Sequence, residues 1–163
     1  MKLSSQEEYG VRCLIQVAGN RSDGGITIPE ISEAEGISTA HAAKLLRILR
    51  HGGFVKSARG KIGGYSLSRA ADKILLSDVL NTLGGRLFET GFCESHSGQG
   101  DQCRHSAECS LRILWRTLQV AVDRVLEKTT LQDLLRTETE MLKWVPTVSA
   151  GPRENAGRDQ SAA

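Results

Sequence analysis

The segment from Pro29 to Gly53 constrains the fold more than any other part of the chain. It opens on Pro29, runs briefly to Glu35, breaks at Gly36, restarts at Ser38 and stops at Gly52-Gly53. Proline suits the first turn of a helix, serine its N-cap and glycine its end. The pattern predicts a short helix over 29–35 and a longer one over 38–51, joined by a tight turn, which is a helix-turn-helix. Ile31, Ile37, Leu45, Ile48 and Leu49 are spaced to form a core between the two.

The next stretch reads as a β-hairpin. Phe54-Val55-Lys56-Ser57 and Tyr65-Ser66-Leu67 are strand candidates around the turn Arg59-Gly60-Lys61-Ile62-Gly63-Gly64. Upstream, Tyr9, Val11, Leu14, Ile15, Val17 and Ala18 give an apolar stripe at helical spacing, predicting a first helix over 4–18. Downstream, Ser77 is a candidate cap for a short helix ending at Gly84-Gly85. Leu111, Leu114, Leu118, Ala121 and Val125 step by three and four through a helix over 110–126, close to a heptad seam. A last helix is expected over 131–144, starting at Thr130, with Asp133 at its positive end.

The expected fold class is mainly α: a winged helix-turn-helix with a two-stranded wing and a long C-terminal dimerisation helix. The corresponding division is 1–70 for the winged unit, 71–109 for a connecting helix and cysteine-rich loop, 110–145 for dimerisation helices, and 146–163 for a disordered tail rich in Gly, Ala, Ser and charges.

Net charge is only +2, so total charge identifies no partner, but its distribution does. Between Ser38 and Arg69 stand Lys44, Arg47, Arg50, Lys56, Arg59, Lys61 and Arg69, without a single Asp or Glu. A basic stretch on a helix-turn-helix is the footprint of a double-stranded DNA-binding face. The first turns of the longer helix offer Ser38, Thr39, His41 and Lys44 toward base edges, with Arg47 and Arg50 further along toward phosphates. Ser38 serves as a cap alone or as cap and DNA contact. Arg59, with Lys61 beside it, suits a narrow, negative minor groove. A two-fold dimer would read a partly palindromic site.

Other classes find little support. No P-loop, dinucleotide-binding glycine fingerprint or G-x-S-x-G is present, so no enzyme is expected. The start turns acidic at Glu7-Glu8, where a signal peptide would need an apolar run, and no apolar stretch is long enough for a membrane span. The expectation is a cytoplasmic protein. In that reducing compartment its four cysteines point to metal binding or redox sensing rather than to disulfides.

These motifs together resemble the IscR/NsrR/RirA group of bacterial winged-helix regulators. The resemblance covers roughly residues 1–144. It rests on Met1-Lys2-Leu3-Ser4, Glu35-Gly36-Ile37-Ser38, the run from Ser57 through Arg59-Gly60-Lys61-Ile62-Gly63-Gly64 to Leu67, and cysteines ahead of a helix containing Leu114-Trp115. It implies a homodimer with crossing long helices, binding to promoter DNA, and an iron–sulfur cluster near the dimer interface.

Cys93, Cys103 and Cys109 form C-x9-C-x5-C, and thiolates are the preferred ligands of such clusters. The first interval is longer than in the family. IscR-like members place a fourth ligand, a histidine, three residues after the last cysteine, where this chain has Arg112. NsrR-like members use a carboxylate of the first helix from the partner subunit, and the matching residue is Glu8. The alternative for Glu8 is a solvated first-turn acid paired with Arg12 at i+4. His96 and His105 are further candidates, and they also permit a Cys3His zinc site. A 4Fe–4S cluster is favoured over 2Fe–2S. A metal-free thiol switch is the remaining option. Cys13, among apolar neighbours on the first helix, is expected in the core.

Overall fold

The computed structural model describes residues 3–22, 24–57, 63–85 and 109–149, with side chains described through 144. Helix α1 (Ser5–Gly19) begins with a reciprocal cap: Glu7 N donates to Ser4 Oγ, and Ser4 N donates to the Glu7 carboxylate. Helix α2 (Ile28–Glu35) begins the same way one residue before Pro29, with Thr27 and Glu30 as the capping box. The Thr27 backbone N–H and then its hydroxyl hold the Glu30 carboxyl below the usual carboxylate range. Gly36 closes α2 in the left-handed region at φ 63°, a conformation that glycine adopts without cost. Helix α3 (Thr39–His51) then starts under the Ser38 cap.

The hairpin is confirmed. Strands β1 (Val55–Ser57) and β2 (Tyr65–Leu67) pair antiparallel in the register Val55 to Leu67 and Ser57 to Tyr65. The chain just before α2 adds a single antiparallel bridge on the other side of β2. Ile26 and Tyr65 exchange backbone hydrogen bonds of 3.0 and 2.7 Å. This explains Gly64, which the sequence suggested only as part of a turn. A Cβ on Gly64 would stand 2.7 Å from the Gly24 carbonyl oxygen and the Gly25 carbonyl carbon. The base of the wing thus abuts backbone at a distance only glycine allows.

Leu14, Ile31, Leu45, Leu46, Leu49, Ile74, Val79 and Leu83 are fully or almost fully buried and join α1, α2, α3 and helix α4 (Leu76–Leu83) in one aliphatic core. Cys13 lies in it with no exposed surface, as expected. Burial, reinforced by the Glu35 charge, pushes its thiol up to about 11.

Three expectations need correction. Helix α4 starts at Leu76 with Leu75 as N-cap and no capping side chain, so Ser77 is not a cap. Its start is held instead by a backbone bridge between Leu75 and Thr130, with Leu76 N donating to Thr129 O at 2.9 Å. Helix α5 (Ser110–Leu126) matches the expected bounds, but the helix expected over 131–144 is two. Helix α6 (Leu131–Leu134) ends after one turn, and helix α7 (Glu138–Ser149) restarts after it. The restart has a local cause. Thr137 and Glu140 form another reciprocal cap, Thr137 N donating at 2.9 Å and Glu140 N at 3.4 Å. Because α7 runs through Pro146 to Ser149, those residues are helical rather than the start of a disordered tail. The remainder of that tail lies outside the described residues.

Helix α6 carries the chain back to the winged unit. Leu131 has no exposed surface, belongs to the same core as Leu14 and Ile74, and donates its N–H to Ile74 O at 2.8 Å.

Candidate nucleic-acid interface and the adjoining thiol

Helix α3 buries Ala42, Leu45, Leu46 and Leu49. At 100° per residue, the opposite face carries Ala40, Lys44, Arg47 and His51, all exposed. Thr39 and Arg50 flank it on one side, also exposed. The core therefore fixes α3 so that two cations, one turn apart, project outward with an alanine at the N-terminal end that lets a surface approach closely.

The expected DNA-reading residues do not share this face equally. Lys44 and Arg47 stand on it. Ser38 is exposed and caps the helix, accepting from His41 N at 3.2 Å. His41 turns to the other flank and is half-buried. Its ring meets that of Tyr9 on α1 edge to face, 5.8 Å between centroids at 64°. Arg50 also bends away, placing its guanidinium 3.5 Å from the Ser57 hydroxyl on β1. Arg69, one of the seven cations of the basic stretch, is a structural strut. It donates to Gly53 O at 3.0 Å and Lys73 O at 3.1 Å and stacks over Phe54. Arg59 and Lys61 lie outside the described residues, in the connection between β1 and β2.

Sequence reasoning missed the way α1 grips this unit. Arg12 does not pair with Glu8. Its Nε sits 3.0 Å from a carboxylate oxygen of Glu35, the last residue of α2, and its guanidinium covers the Tyr9 ring at 5.5 Å. Gln16 donates to the other Glu35 oxygen at 2.7 Å. The reason is desolvation. The Glu35 side chain is only 7% exposed and needs partners, whereas Glu8 is in water.

Of the cysteine group, Cys93 and Cys103, with His96 and His105, lie outside the described residues. Cys109 is half-buried at the N-cap of α5 and makes no side-chain capping bond. Glu8 is exposed, makes no ion pair among the described residues, and borders an apolar cleft of about 290 Å³ lined also by Val11, Leu80, Leu126, Met141 and Trp144. On α5, Leu111, Leu114, Leu118 and Val125 stand exposed along one stripe. No helix among the described residues is long and apolar enough to cross a membrane.

A helix-turn-helix with a paired wing and a cationic recognition face defines a winged-helix DNA-binding protein. The chain belongs to the Rrf2 family, described as iron-dependent transcriptional regulators, whose pattern matches residues 3–137. It is accordingly a transcriptional regulator and not an enzyme.

Among its relatives, protein Rrf2 of Nitratidesulfovibrio vulgaris (Hildenborough) is 33% identical over 83% of this chain and 88% of its own length. The regulator IscR of Erwinia tasmaniensis is 32% identical over 85% and 81%. Among solved structures, CymR, the global cysteine regulator of B. subtilis, superposes with a TM-score of 0.68 at 30% identity, covering 83% of this chain and 96% of that one. The oxidised form of Staphylococcus aureus CymR gives 0.66 at 28%, covering 84% and 98%.

Proposed function

We propose that two copies of this chain bind a partly palindromic promoter site in double-stranded DNA, and that an iron–sulfur cluster governs their affinity in the cytoplasm. The observation that carries the DNA reading is the outward Lys44–Arg47 face of α3, held by a fully packed core. In the major groove, Ser38, Thr39 and Lys44 face base edges and Arg47 faces phosphate. Arg59 and Lys61, between the wing strands, reach the adjoining minor groove. The exposed stripe Leu111, Leu114, Leu118 and Val125 pairs α5 with the α5 of a second copy, which would cover apolar surface now in water. Residues 1–70 then read DNA, 71–109 hold the sensor and 110–145 pair the protomers.

The donor set fits a cluster. Cys109 is a free thiol at the N-terminus of α5 and makes no side-chain capping bond, so its sulfur is available as a ligand. Cys93 and Cys103 supply two more soft donors, and the free carboxylate of Glu8 supplies a hard, weak one. Three thiolates with one weak donor suit 4Fe–4S better than 2Fe–2S. When bound, a cluster supplies a bond network sensitive to oxidation, nitric oxide or iron supply. What the chain supplies is its placement: Cys109 heads the pairing helix, and Glu8 stands on the helix that grips the reading unit. With His96 or His105, the same cysteines would close a tetrahedral zinc site.

A second reading keeps the DNA function and makes the cysteines a metal-free thiol switch. The likeness to an oxidised CymR favours it. Purification without oxygen, with visible absorption and iron, sulfide and zinc contents, separates the two. Brown protein with iron and sulfide in near-equal amounts supports the cluster. Colourless protein with zinc or no metal after reconstitution removes it. Selection of duplex sequences from a random pool tests the DNA reading itself.

A further inference from the structure

Residues 9, 12 and 16 lie on one face of α1 and form a polar clasp on the helix-turn-helix. Arg12 and Gln16 hold the two oxygens of Glu35 at the end of α2, and the same Arg12 covers the ring of Tyr9. Tyr9 in turn sets its ring against His41 in the first turn of α3. The apolar core beneath α3 fixes the depth of that helix, but Leu, Ile and Ala contacts are non-directional and permit small rotations about its axis. An edge-to-face pair of rings with a cation over one of them is directional. His41 sits on the same helical turn as Thr39 and Ala40 and precedes Lys44 by three residues, so its orientation and theirs rotate together.

We propose that Tyr9 is a positioning residue for base recognition: its ring, pinned beneath Arg12, fixes the rotation of α3 through His41. Tyr9 itself touches no DNA. This rests on the DNA-binding reading above and adds a specificity determinant on a helix outside the helix-turn-helix. The contact uses the ring alone. The Tyr9 hydroxyl has no hydrogen-bond partner among the described residues, so Tyr9→Phe retains the device and Tyr9→Leu removes it. The deep core residues Cys13, Leu14 and Val17 of α1 are untouched by either change.

The test uses the full chain and a random-sequence DNA duplex pool. Wild type, Tyr9→Phe and Tyr9→Leu are each carried through selection. Affinities are then measured for the wild-type consensus and for a scrambled duplex across a salt series. The expected result is that Tyr9→Leu loses about fivefold in the ratio of consensus to scrambled affinity, a factor within reach of one aromatic pair. Its consensus blurs at the positions read by the start of α3. Its scrambled-DNA affinity and salt slope stay as in wild type, because phosphate contacts are unchanged. Tyr9→Phe behaves as wild type.

A merely structural Tyr9 would lower thermal stability and weaken both duplexes together, and that outcome overturns the proposal. So does a Tyr9→Leu protein that selects the wild-type consensus with the wild-type ratio. If Tyr9→Leu fails to fold, backbone hydrogen exchange over 39–44 in Arg12→Gln, which loosens the lid over Tyr9, decides. Faster exchange there with a reduced affinity ratio supports the device, and unchanged exchange and ratio refute it. A wild-type chain that enriches no sequence at all refutes the DNA reading, and the positioning role falls with it.

Discussion

Leu131→Ala tests whether the chain beyond α5 is part of the reading unit or an appendage. The leucine has no exposed surface and sits in one cluster with Leu14 and Ile74, while its backbone N–H bonds Ile74 O. Truncation removes three buried carbons, worth about 0.8 kcal/mol each, so about 2.4 kcal/mol from transfer alone. A cavity contribution adds to this, and Leu→Ala changes in cores span about 2–5 kcal/mol. The walls here come from separate elements, and Leu76 N to Thr129 O and Leu131 N to Ile74 O pin the backbone on both sides. That limits collapse and places the expected loss at about 3–4 kcal/mol, a large share of the 5–15 kcal/mol typical of a domain.

The assay is urea unfolding at fixed protein concentration, followed by circular dichroism and by the fluorescence of Trp115 and Trp144. Gln132→Ala, an exposed neighbour, serves as control and should stay within about 0.5 kcal/mol. Both probes should shift together in Leu131→Ala. A loss below about 1 kcal/mol, or a tryptophan transition that moves while the bulk helical signal does not, would refute the reasoning.

Gly64→Ala must push its Cβ into the Gly24–Gly25 backbone, so the rung between Ile26 and Tyr65 should open at a cost of about 1–3 kcal/mol, read from thermal unfolding and from faster exchange of the Tyr65 amide. Lys44→Ala and Arg47→Ala should each weaken duplex binding, and a residue that touches phosphate should lower the slope of log affinity against log salt by about 1. The Cys13 thiol should resist iodoacetamide in the native chain and react after unfolding. Because its folded value of about 11 exceeds the ordinary 9.0, its contribution to stability is intact below pH 9 and is lost as pH rises from 9 through about 11; denaturant titrations at pH 8 and pH 10.5 measure the difference against Cys13→Ala.

The features legible in the sequence were those carried by local chemistry. Gly36, Ser38 and the Gly52-Gly53 stop define α2, the turn and α3 because caps and left-handed turns involve neighbours a few residues apart. The Thr27–Glu30 and Thr137–Glu140 boxes were equally local, and reading the second would have split the helix expected over 131–144. The sequence could not show contacts between distant segments. Arg12 chooses Glu35 over the nearer Glu8 because burial decides, and burial belongs to the folded chain. Arg69 looks like its basic neighbours until the carbonyls of Gly53 and Lys73 are seen around it. The same holds for His41, whose place beside Tyr9 follows from how α1 crosses α3.

The bridge between Leu75 and Thr130 gives α5 the mechanics of a hinged beam. At its far end the chain is stitched by backbone bonds to the reading unit, while at its near end Cys109 leads out of the cysteine segment. Its 17 residues span about 25 Å. A tilt of about 10° about the stitched end sweeps the Ser110 end through about 4 Å, comparable to the one-turn steps of about 5.4 Å by which packed helices change partners. On the proposed function, a displacement of that size imposed at Cys109 would be geared down at the hinge to a small rotation beside the core that carries α3, so that a coarse event among the thiols would arrive at that helix as a fine adjustment.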